Sequence, residues 1–108
     1  MKLRLEDNTL RLRLDPPEVV TFQQQGHLET MVPLGPAAAD YLTYTLERDA
    51  AAPALTVRHE AGRIRVVLPA AVADHWTTTH EVSLRGTTPV VGNQELHILV
   101  EKDLGCKH

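Results

Sequence analysis

Residues 55–69 read LTVRHEAGRIRVVLP, and residues 1–15 read MKLRLEDNTLRLRLD. Each is two short alternating stretches broken by a two-residue turn. At an offset of 54, Arg58 falls on Arg4, Glu60 on Glu6, Arg65 on Arg11 and Leu68 on Leu14. The same offset, with no gap, lays Trp76 on Phe22, Val82 on Leu28, Leu96 on Leu42, Glu101 on Glu47 and Asp103 on Asp49. The 108 residues are twice 54, so the chain reads as one domain of two repeats, 1–54 and 55–108.

Alternation with a period of two means half-buried strands. Leu3, Leu5, Leu10, Leu12 and Leu14 take one face, and Lys2, Arg4, Glu6, Arg11 and Arg13 the other. Asp7-Asn8 and Ala61-Gly62 suit tight hairpin turns. Asp15-Pro16-Pro17 predicts a capped helix with Val19 and Phe22 on its inner face, stopped by Gly26. Extended stretches follow at 27–34 and 41–48, with an alanine-rich link at 49–53. The second repeat predicts a helix over 70–77, with Val72, Ala73 and Trp76 buried, and strands at 81–86 and 95–102. A unit of about 50 residues has too little core to fold alone. Two such units related by a pseudo-twofold axis can close into one barrel that hides both apolar faces and most sheet edges.

The totals bound the rest. Hydrophobic content of 43% and charged content of 23% are ordinary for a globular chain. Aromatics make up 4%, so the core must be mostly aliphatic. The net charge of −3 argues against a general polyanion binder. With a single cysteine, no intrachain disulfide can form. No apolar run approaches the roughly 18 residues of a membrane span, and the N-terminus lacks a signal-peptide hydrophobic region. The cytoplasm is the default expectation.

The segment Val57–Pro69, with its Gly62-Arg63 turn, β-branched strand and proline before a short helix, resembles the start of the AbrB/MazE swapped-hairpin domain. The order of the later strands matches as well. The first repeat departs from the pattern, with Asp7-Asn8-Thr9 in place of the Gly-Arg turn. Members of that family are usually homodimers whose short chains interleave into one barrel. The resemblance implies a single-chain version of such a dimer. The expected fold is therefore α+β and β-rich: two ββαββ units in one swapped-hairpin β-barrel with two short helices, monomeric or a higher oligomer. The whole chain, including the 101–106 tail EKDLGC, also resembles a family of small uncharacterised bacterial proteins, which implies no activity.

The hairpins carry the first candidate site. Two-residue turns set Arg4 opposite Arg11, Lys2 opposite Arg13 and Arg58 opposite Arg65. Like charges facing each other on a sheet are destabilising unless neutralised. One outcome is phosphate binding. The resemblance implies arginines around the hairpin as DNA contacts: Arg4, Arg11, Arg13, Arg58, Arg63 and Arg65. The other outcome is internal pairing with Glu47 and Glu101, at matched positions on the closing strands. The leading expectation is a non-enzymatic binding module, DNA-binding or antitoxin-like. The competing one is a protein–protein interaction or structural domain without nucleic acid.

The histidines and Cys106 form a weaker group. Cys106 and His108 could supply two metal ligands, which His80 or His97 would have to complete. His97 is outward by alternation and His59 inward. None of His59, His75, His80 and His97 has a counterpart in the other repeat. No phosphate-cradling glycine loop or nucleophile elbow is present, so no cofactor and no enzyme activity is expected.

Overall fold

A computed structural model describes residues 1–104; the expected metal ligands Cys106 and His108 lie outside them. Among the described residues there are eight strands in two four-stranded sheets, and two helices. In chain order these are β1 (Lys2–Glu6), β2 (Thr9–Leu14), α1 (Pro16–Gln25), β3 (His27–Pro33), β4 (Tyr41–Asp49), β5 (Thr56–Glu60), β6 (Arg63–Pro69), α2 (Ala70–Thr78), β7 (Ser83–Pro89) and β8 (Glu95–Lys102). The protein is α+β and rich in β.

Local chemistry explains the punctuation. Asp7 turns at φ 50°, Ala61 at φ 37° and Gly62 at φ 76°, which closes both hairpins in the expected registers, Arg4 opposite Arg11 and Arg58 opposite Arg65. Asp15 caps α1 in a reciprocal box. Its side chain accepts from the Glu18 amide at 2.9 Å, and the Glu18 carboxylate accepts from the Asp15 amide at 3.0 Å. Gly26, at φ 69°, ends the helix by donating to the Phe22 carbonyl at 2.7 Å. Pro69 opens α2 without a side-chain cap.

The sheets mix the two halves of the chain. The first runs β1-β2-β8-β7 and the second β3-β4-β6-β5. Each joins two antiparallel pairs through one parallel contact, β2 with β8 and β4 with β6. The inward rows meet in one core. Leu10, Leu12, Leu14, Ile98 and Val100 come from the first sheet, and Tyr44, Leu46, Val66 and Leu68 from the second. Phe22 and Trp76 are fully buried from the two helices, their rings edge-on at 6.3 Å between centroids. The Trp76 indole donates to the Val82 carbonyl at 3.0 Å, so even its polar atom is satisfied. The expected helix plugs therefore touch each other as well as the sheets.

Several expectations change. Strand pairing gives two sheets, and among the described residues no ladder closes them into a barrel. The gap-free offset of 54 also fails at β7. Val100 stands 54 residues beyond Leu46, but their partners Leu84 and Leu28 stand 56 apart. The reason lies upstream: Gly26 alone joins α1 to β3, whereas Thr79–Val82 join α2 to β7. That strand accordingly starts at Ser83 and runs to Pro89 rather than spanning 81–86. Val72 is exposed, because α2 buries only Ala73 and Trp76. His59 holds the inward phase opposite Ile64 yet is exposed at the end of β5.

Candidate anion-binding face

Outward side chains of each sheet form rows across its four strands. On the first sheet one row is Arg4, Arg11, Leu99 and Arg85. The matching row of the second sheet is Arg58, Arg65, Thr45 and Glu29. The arginine pairs expected from the sequence are thus real neighbours, but each pair meets different company.

On the second sheet the charges cancel. Arg65 grips Glu47 with two hydrogen bonds, Nε to Oε2 at 3.0 Å and Nη2 to Oε1 at 2.8 Å. It also donates to Glu60 at 2.9 Å. Thr45 is wholly buried beneath this lattice and donates its hydroxyl to Glu47 at 2.7 Å. Arg63 pairs with Glu29 at 3.1 Å. The Arg65 guanidinium holds the Glu47 carboxyl down at about 2, against the opposing effect of burial. In return the carboxylates push the Arg65 guanidinium above its usual range. Arg58 is exposed and forms no ion pair among the described residues.

The first sheet is less evenly matched. Glu101 serves both Arg11 and Arg13. Arg13 donates through Nε at 3.1 Å and Nη2 at 2.8 Å. Arg11 Nε lies 2.9 Å from the same oxygen, but its N–H is not aligned for a hydrogen bond, and this buried nitrogen is left without one. Arg4 reaches only Glu6, on its own strand, at 3.1 Å, with both side chains well exposed. Lys2 is 3.8 Å from Asp103. Arg85 has no acidic partner among the described residues. Two depressions follow this face. One of about 120 Å³ is lined, among the described residues, by Lys2, Arg4, Arg11 and Arg13. The next, of about 190 Å³, is lined by Arg4, Glu6, Thr9, Arg11 and Leu99. A concavity walled by these cations, with Arg4 and Lys2 held only by exposed or distant carboxylates, is suited to an oxyanion.

Residues 1–108 match the model of a family of unknown function, DUF7009. The chain belongs to that family. No curated protein and no solved structure matches it. Membership in DUF7009 brings no activity with it, so the reading of this face rests on its chemistry.

Of the six arginines expected as contacts, Arg4, Arg11 and Arg13 share the first sheet's face, and Arg58, Arg63 and Arg65 the second's. They do not form one patch. The internal pairing with Glu47 and Glu101 is present for Arg11, Arg13 and Arg65, but not for Arg4 or Arg58. Arg85 was missed. Alternation through Ser83-Leu84-Arg85-Gly86-Thr87 is the signal that marks it as outward. Among the described residues no three His, Cys, Asp or Glu side chains gather as a metal site, and no helix is long and apolar enough to cross a membrane.

Proposed function

We propose that this protein is a non-enzymatic binding module whose first-sheet face takes the phosphate backbone of duplex DNA. The observation that carries the reading is the depression walled, among the described residues, by Lys2, Arg4, Arg11 and Arg13. Phosphate contacts supply most of the affinity of nucleic-acid binding, and side-chain guanidinium groups are their usual donors. The acidic net charge is compatible with this, because the cations concentrate on one face while the second sheet neutralises its own. No aromatic side chain stands on the first sheet's outward rows, which disfavours base stacking on single strands.

The AbrB/MazE likeness supports the same reading, and with it a duplicated, swapped-hairpin origin. The two parallel ladders keep one offset: Thr9 faces His97 as Arg63 faces Thr43, and Leu12 faces Val100 as Val66 faces Leu46. The first hairpin shares a sheet with the last two strands, and the second hairpin with β3 and β4, as a fused interleaved dimer would arrange them. A family-like dimer would present both hairpins to a pseudo-palindromic site; here the charge pattern favours one. A protein-interaction role without nucleic acid is the second reading. Met31 and Tyr41, both exposed on the second sheet, favour it.

The test is titration of labelled duplex at two salt concentrations. Wild type should bind with a steep salt dependence. Changing Arg4 and Arg11 to Gln should flatten it, by a slope change of about 0.9 for each phosphate no longer neutralised. Arg58→Gln should leave it unchanged. Absence of wild-type binding at low salt would remove the DNA reading and leave the protein-interaction one.

A further inference from the structure

A larger concavity than the two depressions at Arg4 and Arg11 lies farther along the first sheet, beyond the hairpin arginines. It is a cleft of about 450 Å³, with Thr9, Arg85, Thr87 and His97 around a floor of Gly86 and Leu99. That volume falls within the range of small-molecule sites, about 300–1,000 Å³. Its polar groups come from three adjacent strands whose register fixes their spacing. Thr9 and Thr87 stand directly opposite His97 from either side, and Arg85 stands opposite Leu99, one step along the face. Opposed residues on a sheet place their Cβ atoms about 4.5–5.5 Å apart, and diagonal ones stay within reach of a long side chain. One arginine, two hydroxyls and an imidazole therefore converge on a single small group.

No acidic side chain is among the described residues that line the cleft; Glu95 and Glu101 flank it on the same face of β8, two residues from His97 and Leu99, and Glu101 is committed to Arg11 and Arg13. Arg85 has no ion pair among the described residues. Within the Thr9–His97–Thr87 row the carboxylate is Glu6, two strands from His97 and already hydrogen-bonded to Arg4. In the second sheet the place of Arg85 is taken by Glu29, which neutralises Arg63, and the place of His97 by Thr43, which is buried. The cleft is therefore peculiar to the first sheet. Arg85 can offer two parallel N–H groups to an anion, and the hydroxyls of Thr9 and Thr87 supply further donors. The Leu99 and Gly86 floor leaves apolar surface for the body that carries the anion. Gly86 also matters structurally: a Cβ there would come within 3.1 Å of the Leu55 side chain on the other side of the strand.

We infer that this cleft binds a phosphate monoester, with Arg85 holding the phosphoryl oxygens and Thr9, Thr87 and His97 donating around it. The monoester has two sources, a free small molecule or the 5′ end of a nucleic acid strand. The site does not depend on duplex binding through Arg4 and Arg11.

Amide spectra of the labelled full chain, titrated separately with inorganic phosphate and ribose 5-phosphate, test it. Saturable shifts should centre on Arg85, Thr87 and His97, with ribose 5-phosphate the tighter ligand. Arg85→Gln should weaken both at least tenfold, and Thr87→Val should weaken both by less. The Arg4→Gln, Arg11→Gln double variant should retain the site, which separates its fate from that of the duplex reading. A short oligonucleotide with and without its 5′-phosphate distinguishes the sources. An Arg85-dependent gain from the phosphate on the strand assigns the terminus, and no gain assigns the free ester. Shifts centred on Arg4 and Arg11, or binding indifferent to both Arg85→Gln and Thr87→Val, would overturn the assignment.

Discussion

Arg65 on β6 and Glu47 on β4 are locked by two parallel hydrogen bonds of 3.0 and 2.8 Å, reaching diagonally across the parallel pairing of their strands. The side chains are only 28% and 17% exposed, so water screens this pair less than an ordinary surface bridge. With Thr45 donating from below, the Glu47 carboxyl sits at about 2 in the fold, against 4.5 when free.

The sign of the resulting pH dependence follows directly. A carboxyl whose proton affinity is lower in the fold stabilises it fully above about pH 4.5, and that stabilisation fades as pH falls toward 2. Glu47→Gln should therefore cost about 1–2 kcal/mol at pH 7, on the scale of a charged hydrogen-bond pair. Urea unfolding at steps from pH 7 to pH 2 measures it. The gap between wild type and variant should narrow through the acid range; a gap constant with pH would place its origin in packing.

Burial of both helix aromatics gives a larger effect. Phe22 and Trp76 are 1% and 0% exposed and meet edge to face. Truncating either to Ala should cost about 3–5 kcal/mol. Trp76→Phe should cost less, keeping most of the ring contact while leaving the Val82 carbonyl without its indole donor. Their contact makes the losses non-additive, so the Phe22→Ala, Trp76→Ala double variant should lose less than the separate losses together. As the only tryptophan, Trp76 also reports on the fold by fluorescence in the Phe22 variant.

The turn of the second hairpin predicts a gain. Ala61 is held at φ 37°, where an L side chain is strained, and Gly62 follows at φ 76°. Ala61→Gly removes that strain but adds freedom to the unfolded chain, for a net stabilisation of about 0.5 kcal/mol. Gly62→Ala should do the reverse and cost about 1 kcal/mol or more, since its new Cβ would also lie 3.3 Å from the Tyr41 carbonyl. Thermal midpoints should rise for the first substitution and fall for the second.

The hairpins were legible because period-two alternation and turn residues lie side by side in the chain. Leu10, Leu12 and Leu14 announce a buried face without help from anything distant. The helix between Asp15 and Gly26 was legible for the same local reason. The two-residue shift at β7 was not, because Thr79–Val82 carry no pattern that separates a longer connection from the start of a strand. The candidate site was half visible. Facing arginines follow from hairpin register, but whether Glu101 can serve both Arg11 and Arg13 depends on a parallel pairing between residues about 90 apart. The cleft at Arg85 needs that pairing too, since Thr9 and His97 meet only there.

Arg48, next to last in β4, and Lys102, 54 residues on at the end of β8, reach toward α2 in different ways. Arg48 makes a two-pronged bridge to Asp74 at 2.8 Å in an exposed setting. Such a pair contributes little, and less as salt rises. Lys102 instead lies 5.5 Å from the centre of the Trp76 ring and donates to the Thr79 carbonyl at 2.9 Å. Burial pulls its ammonium below its usual range, so the fold disfavours the charged form slightly, a cost present at neutral pH and gone only above about 10.5. Lys102→Met should therefore leave stability at pH 7 within about 1 kcal/mol of wild type, because its apolar stem still covers the indole. Arg48→Met should lower stability slightly in low salt and by nothing measurable in 1 M salt. Chemical unfolding of both variants at the two ionic strengths checks this. A salt-dependent loss at Lys102 rather than at Arg48 would mean that the charge over Trp76, not the bridge to Asp74, holds α2 to the strand ends.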